Sequence, residues 1–70
     1  GRVENSILFR GVRVGRGAIV RNSILMQGVT VGDGCVLDHV VLDKGAVLRD
    51  GRTIVGYEGF PIILKKNAVV

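Results

Sequence analysis

Residues 3–19, VENSILFRGVRVGRGAI, and residues 20–36, VRNSILMQGVTVGDGCV, are identical at ten of seventeen positions. Self-similarity at a fixed period constrains a short chain strongly, because each copy must bury its apolar side chains against its neighbours. Residues 37–53, LDHVVLDKGAVLRDGRT, keep the apolar positions and two of the glycines. Aligned by the period, the chain falls into columns of one chemical type. They are Val3, Val20, Leu37 and Ile54; Leu8, Leu25 and Leu42; Val14, Val31 and Leu48; Gly11, Gly28 and Gly45; and Gly17, Gly34 and Gly51.

Inside one copy, the aliphatic residues Val3, Leu8 or Phe9, Val14 and Val20 return every five or six positions. A helix would repeat its apolar face every ~3.6 residues and a half-buried strand every second residue. A six-residue beat instead predicts a short strand, a corner and another short strand, with three sides to a coil. Seventeen residues at ~3.3 Å each give a perimeter of roughly 56 Å and sides of roughly 18 Å, which a single layer of side chains fills. Stacking such coils about 4.8 Å apart lets each strand pair with its equivalent above, so like residues must recur in register.

The glycine columns then mark corners, where the backbone needs positive φ or close approach. Asn5 and Asn22 occupy one such column, and His39 follows them in it; asparagine tolerates positive φ better than most residues. Two charged columns, Glu4, Arg21, Asp38 and Arg16, Asp33, Asp50, are expected to attract across adjacent coils. Exposed pairs contribute only about 0.2–1 kcal/mol each, so their part is to specify register. After Ile54 the pattern changes to Gly56, Gly59 and Pro61, then Ile62–Leu64, Lys65–Lys66 and Val69–Val70. This predicts an exit loop and a last strand, with proline and paired lysines discouraging a further strand from adding. The expected architecture is all-β, a parallel β-helix of about three coils (3–19, 20–36, 37–53) plus a terminal strand in a capping segment, 54–70.

Seventy residues make one domain, and a core of that size seldom supplies more than about 3–5 kcal/mol unaided. Cys35 has no partner for an internal disulfide, and the single His39 cannot complete a zinc set. Repetition or association must replace those staples, and no metal site is expected. The composition, 47% hydrophobic with 11 glycines and one proline, suits a β-rich chain with many tight corners. No apolar run approaches the ~18 residues of a membrane helix, and no signal-peptide pattern opens the chain, so a cytoplasmic location is expected. The chain begins at Gly1 and enters a repeat at Val3, which is expected of a segment cut from a longer protein. A net charge of +4 raises nucleic-acid binding, but the basic residues are scattered. Only Phe9, Tyr57 and Phe60 could stack on bases, and no RNP, KH or zinc-finger pattern is present. The charge reads as a solvated basic surface.

The wording VENSILFRGVRVG and VRNSILMQGVTVGDG, followed by VVLDKGAVLRDG, resembles the C-terminal hexapeptide-repeat domain of glucose-1-phosphate adenylyltransferase, or ADP-glucose pyrophosphorylase. The ending, with Gly56, Pro61, Lys65–Lys66 and the terminal valines, is most similar to the GlgD-type subunit of glycogen biosynthesis. The resemblance covers essentially all of the chain. Hexapeptide repeats alone are specific for the fold and weakly so for function, because acyltransferases share them. The resemblance implies a left-handed coil, which general crossover rules do not choose. It implies an N-terminal nucleotidyltransferase domain outside these residues, making ADP-glucose and pyrophosphate from glucose-1-phosphate and ATP with magnesium. It also implies that the β-helix serves subunit association and effector response, with D-type subunits mainly regulatory. The partners implied are further copies or a catalytic adenylyltransferase subunit, and a sugar-phosphate effector. No glycine-rich phosphate loop is found here, so this segment is expected to be non-catalytic and to hold no cofactor.

Arg10, Arg13 and Arg16, with Lys44 in the Arg10 column, are candidates for an anionic-effector site, since guanidinium forks bind phosphate bidentately. Alternation along a strand also turns such residues outward by default, so a plain solvated face is the competing account. Phe9 and Met26 share an outward or corner column and are candidates for self-association. His39 invites an acyltransferase reading as a general base. Its place in the Asn5 and Asn22 column points to a structural corner, and the sequence has no long loop leaving the prism. Cys35, between Ala18 and Arg52 in its column, reads as a small, partly buried corner residue with no base to activate it.

Overall fold

Glycine-punctuated pairs of aliphatic residues leave room for strands of only two or three residues. The computed structural model describes residues 1–70, and eleven such strands account for all its regular structure. The first coil contributes β1 (Arg2–Glu4), β2 (Ile7–Leu8) and β3 (Arg13–Val14), and the second β4 (Ile19–Arg21), β5 (Ile24–Leu25) and β6 (Thr30–Val31). The third contributes β7 (Val36–Asp38), β8 (Val40–Leu42) and β9 (Val47–Leu48), and β10 (Thr53–Val55) and β11 (Ile62–Leu64) follow. Sheets run β1-β4-β7-β10 on the first side of the prism, β2-β5-β8-β11 on the second and β3-β6-β9 on the third. The strand pairs are all parallel, and the fold is a left-handed parallel β-helix. No helix is long and apolar enough to cross a membrane.

The seventeen-residue period is realised residue by residue. Val3 lies opposite Val20, Val20 opposite Leu37 and Leu37 opposite Ile54. Leu8, Leu25 and Leu42 form the equivalent ladder on the second side, and Val14, Val31 and Leu48 on the third. Eleven buried residues, among them Val20, Leu25, Val31, Leu37, Leu42 and Leu48, fill the prism as one column of apolar layers. Full burial of each such aliphatic side chain contributes about 1.5–3 kcal/mol relative to exposure.

The segment after Ile54 does more than leave the stack. Leu64 pairs with Leu42, a step of 22 residues (64 − 42), so five residues beyond the period have been inserted. They are Tyr57–Pro61, a small loop in which Tyr57 and Phe60 exchange backbone hydrogen bonds of 3.1 and 2.9 Å. The chain then rejoins the second side as β11, turns at Asn67 and lays Ala68–Val70 on the third. There the Val47 N–H donates to Ala68 O (2.7 Å) and the Arg49 N–H to Val70 O (2.9 Å). Asn67, at φ 60°, thereby succeeds Gly45 in its corner column.

The charged columns do not form the expected ladders of ion pairs. The two ion pairs present are Arg2–Glu4, within one strand at 3.2 Å, and His39–Asp38 at 2.8 Å. Asp33 instead accepts the backbone N–H of Arg16 (2.9 Å), and Asp50 that of Asp33 (2.8 Å). A short carboxylate at a corner meets an N–H that no strand partner satisfies, whereas an exposed guanidinium gains little over water. This arrangement requires glycine one layer below: a Cβ on Gly32 would lie 2.6 Å from Asp50 N and 2.8 Å from Arg49 C. Arg49 itself stands in the Gly15 and Gly32 column, its N–H donating to Val70 O as the Gly32 N–H donates to Leu48 O.

Cys35 is also more interior than the sequence suggested. Like Ala18 it is fully buried, and its thiol donates to Arg49 O at 3.0 Å. The small residues of that column fill the narrow angle of the triangle, and the exposed Arg52 ends it.

Candidate functional site

Two corners of the prism carry polar side chains in organised columns. At the corner between the first and second sides stand Asn5, Asn22 and His39, all at positive φ (47°, 50° and 54°). The side chains follow the stack only part of the way. Asn5 Nδ2 donates to Asn22 Oδ1 (2.6 Å), and Asn22 Nδ2 donates to Asp38 Oδ1 (3.0 Å) rather than to His39. Asp38 Oδ1 also receives His39 Nδ1 at 2.8 Å, which leaves Nε2 as the free ring nitrogen. The Asn22 hydrogen bond, chiefly, holds the Asp38 carboxyl below its usual range; desolvation opposes this, and His39 and Arg21 reinforce it. Behind this corner Ser23, 2% exposed, accepts the N–H of Val40 (3.2 Å) and donates to Arg21 O (2.7 Å).

His39 therefore occupies the corner its column predicted. The sequence did not show that its neighbour Asp38 would orient the ring, because a side-chain hydrogen bond between adjacent residues leaves no periodic trace. The Tyr57–Pro61 loop springs from the same place: Ile62 N–H donates to His39 O at 3.1 Å. It is the exit loop that the change of pattern after Ile54 predicts, five residues long. An imidazole held through Nδ1 by a carboxylate can accept a proton at Nε2. No cavity adjoins it in the isolated chain, and nowhere do three or more His, Cys, Asp or Glu side chains gather as metal ligands.

The corner between the second and third sides is basic. The N–H groups of Gly28, Gly45 and Asn67 donate to the carbonyls of Arg10, Gln27 and Lys44, at 3.0, 2.9 and 2.9 Å. Those bonds put Arg10, Gln27, Lys44 and Lys66 in one column. The adjoining column runs Phe9, Met26, Asp43 and Lys65, with Asp43 N–H donating to Leu64 O at 3.0 Å. Arg10 and Lys44 thus share a corner as predicted, two layers apart. Arg13 lies on the third side opposite Thr30, and Arg16 at the next corner, its N–H on Asp33. All four are exposed, and none has an ion-pair partner. Lys65 and Lys66 were missed because the five inserted residues hide their columns from a strict count of seventeen. The signal that could have found them is the run Lys66–Asn67, which repeats the corner pattern of Lys44–Gly45.

Of the residues singled out for self-association, Phe9 is 52% exposed and Met26 is partly covered. Beside them the second side turns outward Ile7, Ile24, Val41 and Ile63 in register.

A family model described as GlmU-like, C-terminal hexapeptide, matches residues 1–59, which span the three regular coils and enter the inserted loop. No curated protein matches the chain, and no solved structure does.

Proposed function

Because this chain belongs to the GlmU-like C-terminal hexapeptide family, we propose that it is the β-helix module of a glucose-1-phosphate adenylyltransferase-like subunit of glycogen biosynthesis. The module is cytoplasmic, holds no cofactor and does not itself catalyse. It joins subunits, either copies of itself or a catalytic adenylyltransferase partner, and responds to a sugar-phosphate effector. ATP, glucose-1-phosphate and magnesium belong to the nucleotidyltransferase domain of the parent protein. The observation that carries the effector half is the basic corner, where Arg10, Lys44, Lys65 and Lys66 converge with only Asp43 to offset them. Like charges in neighbouring layers repel, and a phosphate relieves that repulsion through charge-assisted hydrogen bonds. Titration of the chain with glucose 1-phosphate and with inorganic phosphate, followed by amide NMR, tests this. Shifts centred on Gly28, Gly45 and Asn67 support the effector site; no shift at millimolar ligand removes it.

A second reading, a hexapeptide-repeat acyltransferase fragment, draws on the Asp38–His39 contact beneath the Tyr57–Pro61 loop. In that case His39 Nε2 takes a proton from the acceptor as it attacks the carbonyl of an acyl thioester, and returns it to the thiolate that leaves as the C–S bond breaks. Incubation with an acyl thioester and amino-sugar acceptors separates the two: turnover abolished by His39→Ala favours transfer, and its absence favours the assembly module.

A further inference from the structure

The second side of the prism differs from the other two in what it shows to solvent. No charged residue lies on β2, β5, β8 or β11, whereas the first side carries Arg2, Glu4, Arg21 and Asp38, and the third carries Arg13. Ile7 and Ile63, at the two ends of its outward column, are 58% and 65% exposed. At its edge, Phe60 is 82% exposed on the loop that leads into β11.

We propose that this side docks a second copy of the same chain, with the Phe60 loop completing the contact. The proposal rests on the assembly function above and names its surface. The occupant follows first from spacing. The outward methyl groups form ridges about 4.8 Å apart, one per layer, and a surface of the same spacing can interdigitate with every ridge, as paired sheets do in dry interfaces. A helix repeats at about 5.4 Å and falls out of step within four layers. Charge points the same way: the chain has a net charge of +4, so copies repel least through a side that carries none of it.

Area explains why the loop is needed. Four layers by one side make roughly 350 Å², less than half of the ~800 Å² each partner contributes to a standard interface. Each aromatic side chain adds about 150–250 Å² when buried. Phe60 at one edge, 82% exposed, and Phe9 at the other, 52% exposed, add roughly 200–340 Å² between them and bring each copy's share to roughly 550–700 Å², the lower end of standard interfaces. In a two-fold contact whatever one copy gives the other returns, so both Phe60 loops enter it.

Sedimentation equilibrium of the 70-residue chain tests the proposal, with far-UV circular dichroism confirming that each variant stays folded. Val41→Lys charges the centre of the side, Phe60→Ser removes the loop's aromatic group, and Val36→Lys places the same charge on the first side as a control. The chain is expected to self-associate, and Val41→Lys and Phe60→Ser are each expected to raise the dissociation constant at least about tenfold, as loss of a central anchor does. Val36→Lys should leave it within about twofold. Association that Val36→Lys breaks and Val41→Lys spares overturns the surface while sparing the assembly function. A folded monomer at about 1 mM, the weak end of specific affinity, overturns both. Association that Phe60→Ser does not weaken overturns the loop's part. Should Val41→Lys fail to fold, Ile63→Lys at the exposed end of the column replaces it.

Discussion

His39 Nδ1 sits 2.8 Å from Asp38 Oδ1, and that same oxygen takes a hydrogen bond from Asn22 Nδ2 one layer below. A single carboxylate oxygen therefore ties two layers of the corner together. Since the pKa of Asp38 is lowered in the folded chain, the ionised form is the one that folding favours. Its contribution to stability is complete above the ordinary unfolded aspartate value of ~3.9 and is lost as pH falls through the lower folded value. Carboxyl-carbon NMR should show Asp38 titrating below the ordinary aspartate value of ~3.9. Asn22→Ala, which removes the largest cause, should move it upward. A parent chain in which Asp38 titrates at the ordinary aspartate value would show that the corner is open in solution.

Gly32 and Gly34 separate two reasons for glycine. At Gly32 an added methyl group meets the backbone of Asp50 and Arg49, while at Gly34 it meets nothing within 4 Å and only the positive φ of 70° resists it. Gly34→Ala should cost about 1–2 kcal/mol, the usual penalty of the left-handed conformation. Gly32→Ala should cost more, because two layers must separate. Urea denaturation of both variants measures the order, and equal costs would refute the packing explanation.

Ser23→Ala removes the partner of the Val40 N–H in a buried corner. An unsatisfied buried donor costs about 1–3 kcal/mol. Ser6→Ala, in the same column but less buried, should cost less. Thermal unfolding of the two variants side by side gives the comparison, and a neutral Ser23→Ala would mean that water enters the corner.

Lys44→Glu and Lys66→Glu should each weaken phosphate binding, and added salt should reduce binding by the parent chain as well. Arg13→Glu, on the third side, serves as the control. If Arg13→Glu matches Lys44→Glu in isothermal titration, the attraction is diffuse rather than confined to one corner.

The Cys35 thiol is fully buried and bonded to Arg49 O. A thiol-specific reagent should modify it only at the rate at which the native chain opens, and at full speed in denaturant. Rapid modification under native conditions would place the second coil among the weakly held parts.

The architecture was legible because periodicity is a collective signal: Val3, Val20 and Leu37 need only be apolar and seventeen apart to declare a stack. Corner conformation was legible too, since Asn5, Asn22 and His39 share a backbone requirement that narrows residue choice. Side-chain hydrogen bonding was not. The Arg16, Asp33 and Asp50 column looked like a charge ladder, yet the carboxylates went to backbone N–H groups, a preference set by reach that sequence spacing cannot express. Lys65 and Lys66 escaped for a simpler reason. Five extra residues reset the count, and nothing before Leu64 announces where counting resumes.

The Tyr57–Pro61 excursion bears on how such a prism can be elaborated. Strand ladders before and after it stay aligned although five residues have been let out between them, because Gly56 and Ile62 on either side still donate to Asp38 O and His39 O in the layer below, while Tyr57 and Phe60 bond only to each other. This vertex is thus a port at which extra sequence is spliced without disturbing the tiers on either side. A designer wishing to display a peptide on this scaffold would start where His39 meets Ile62.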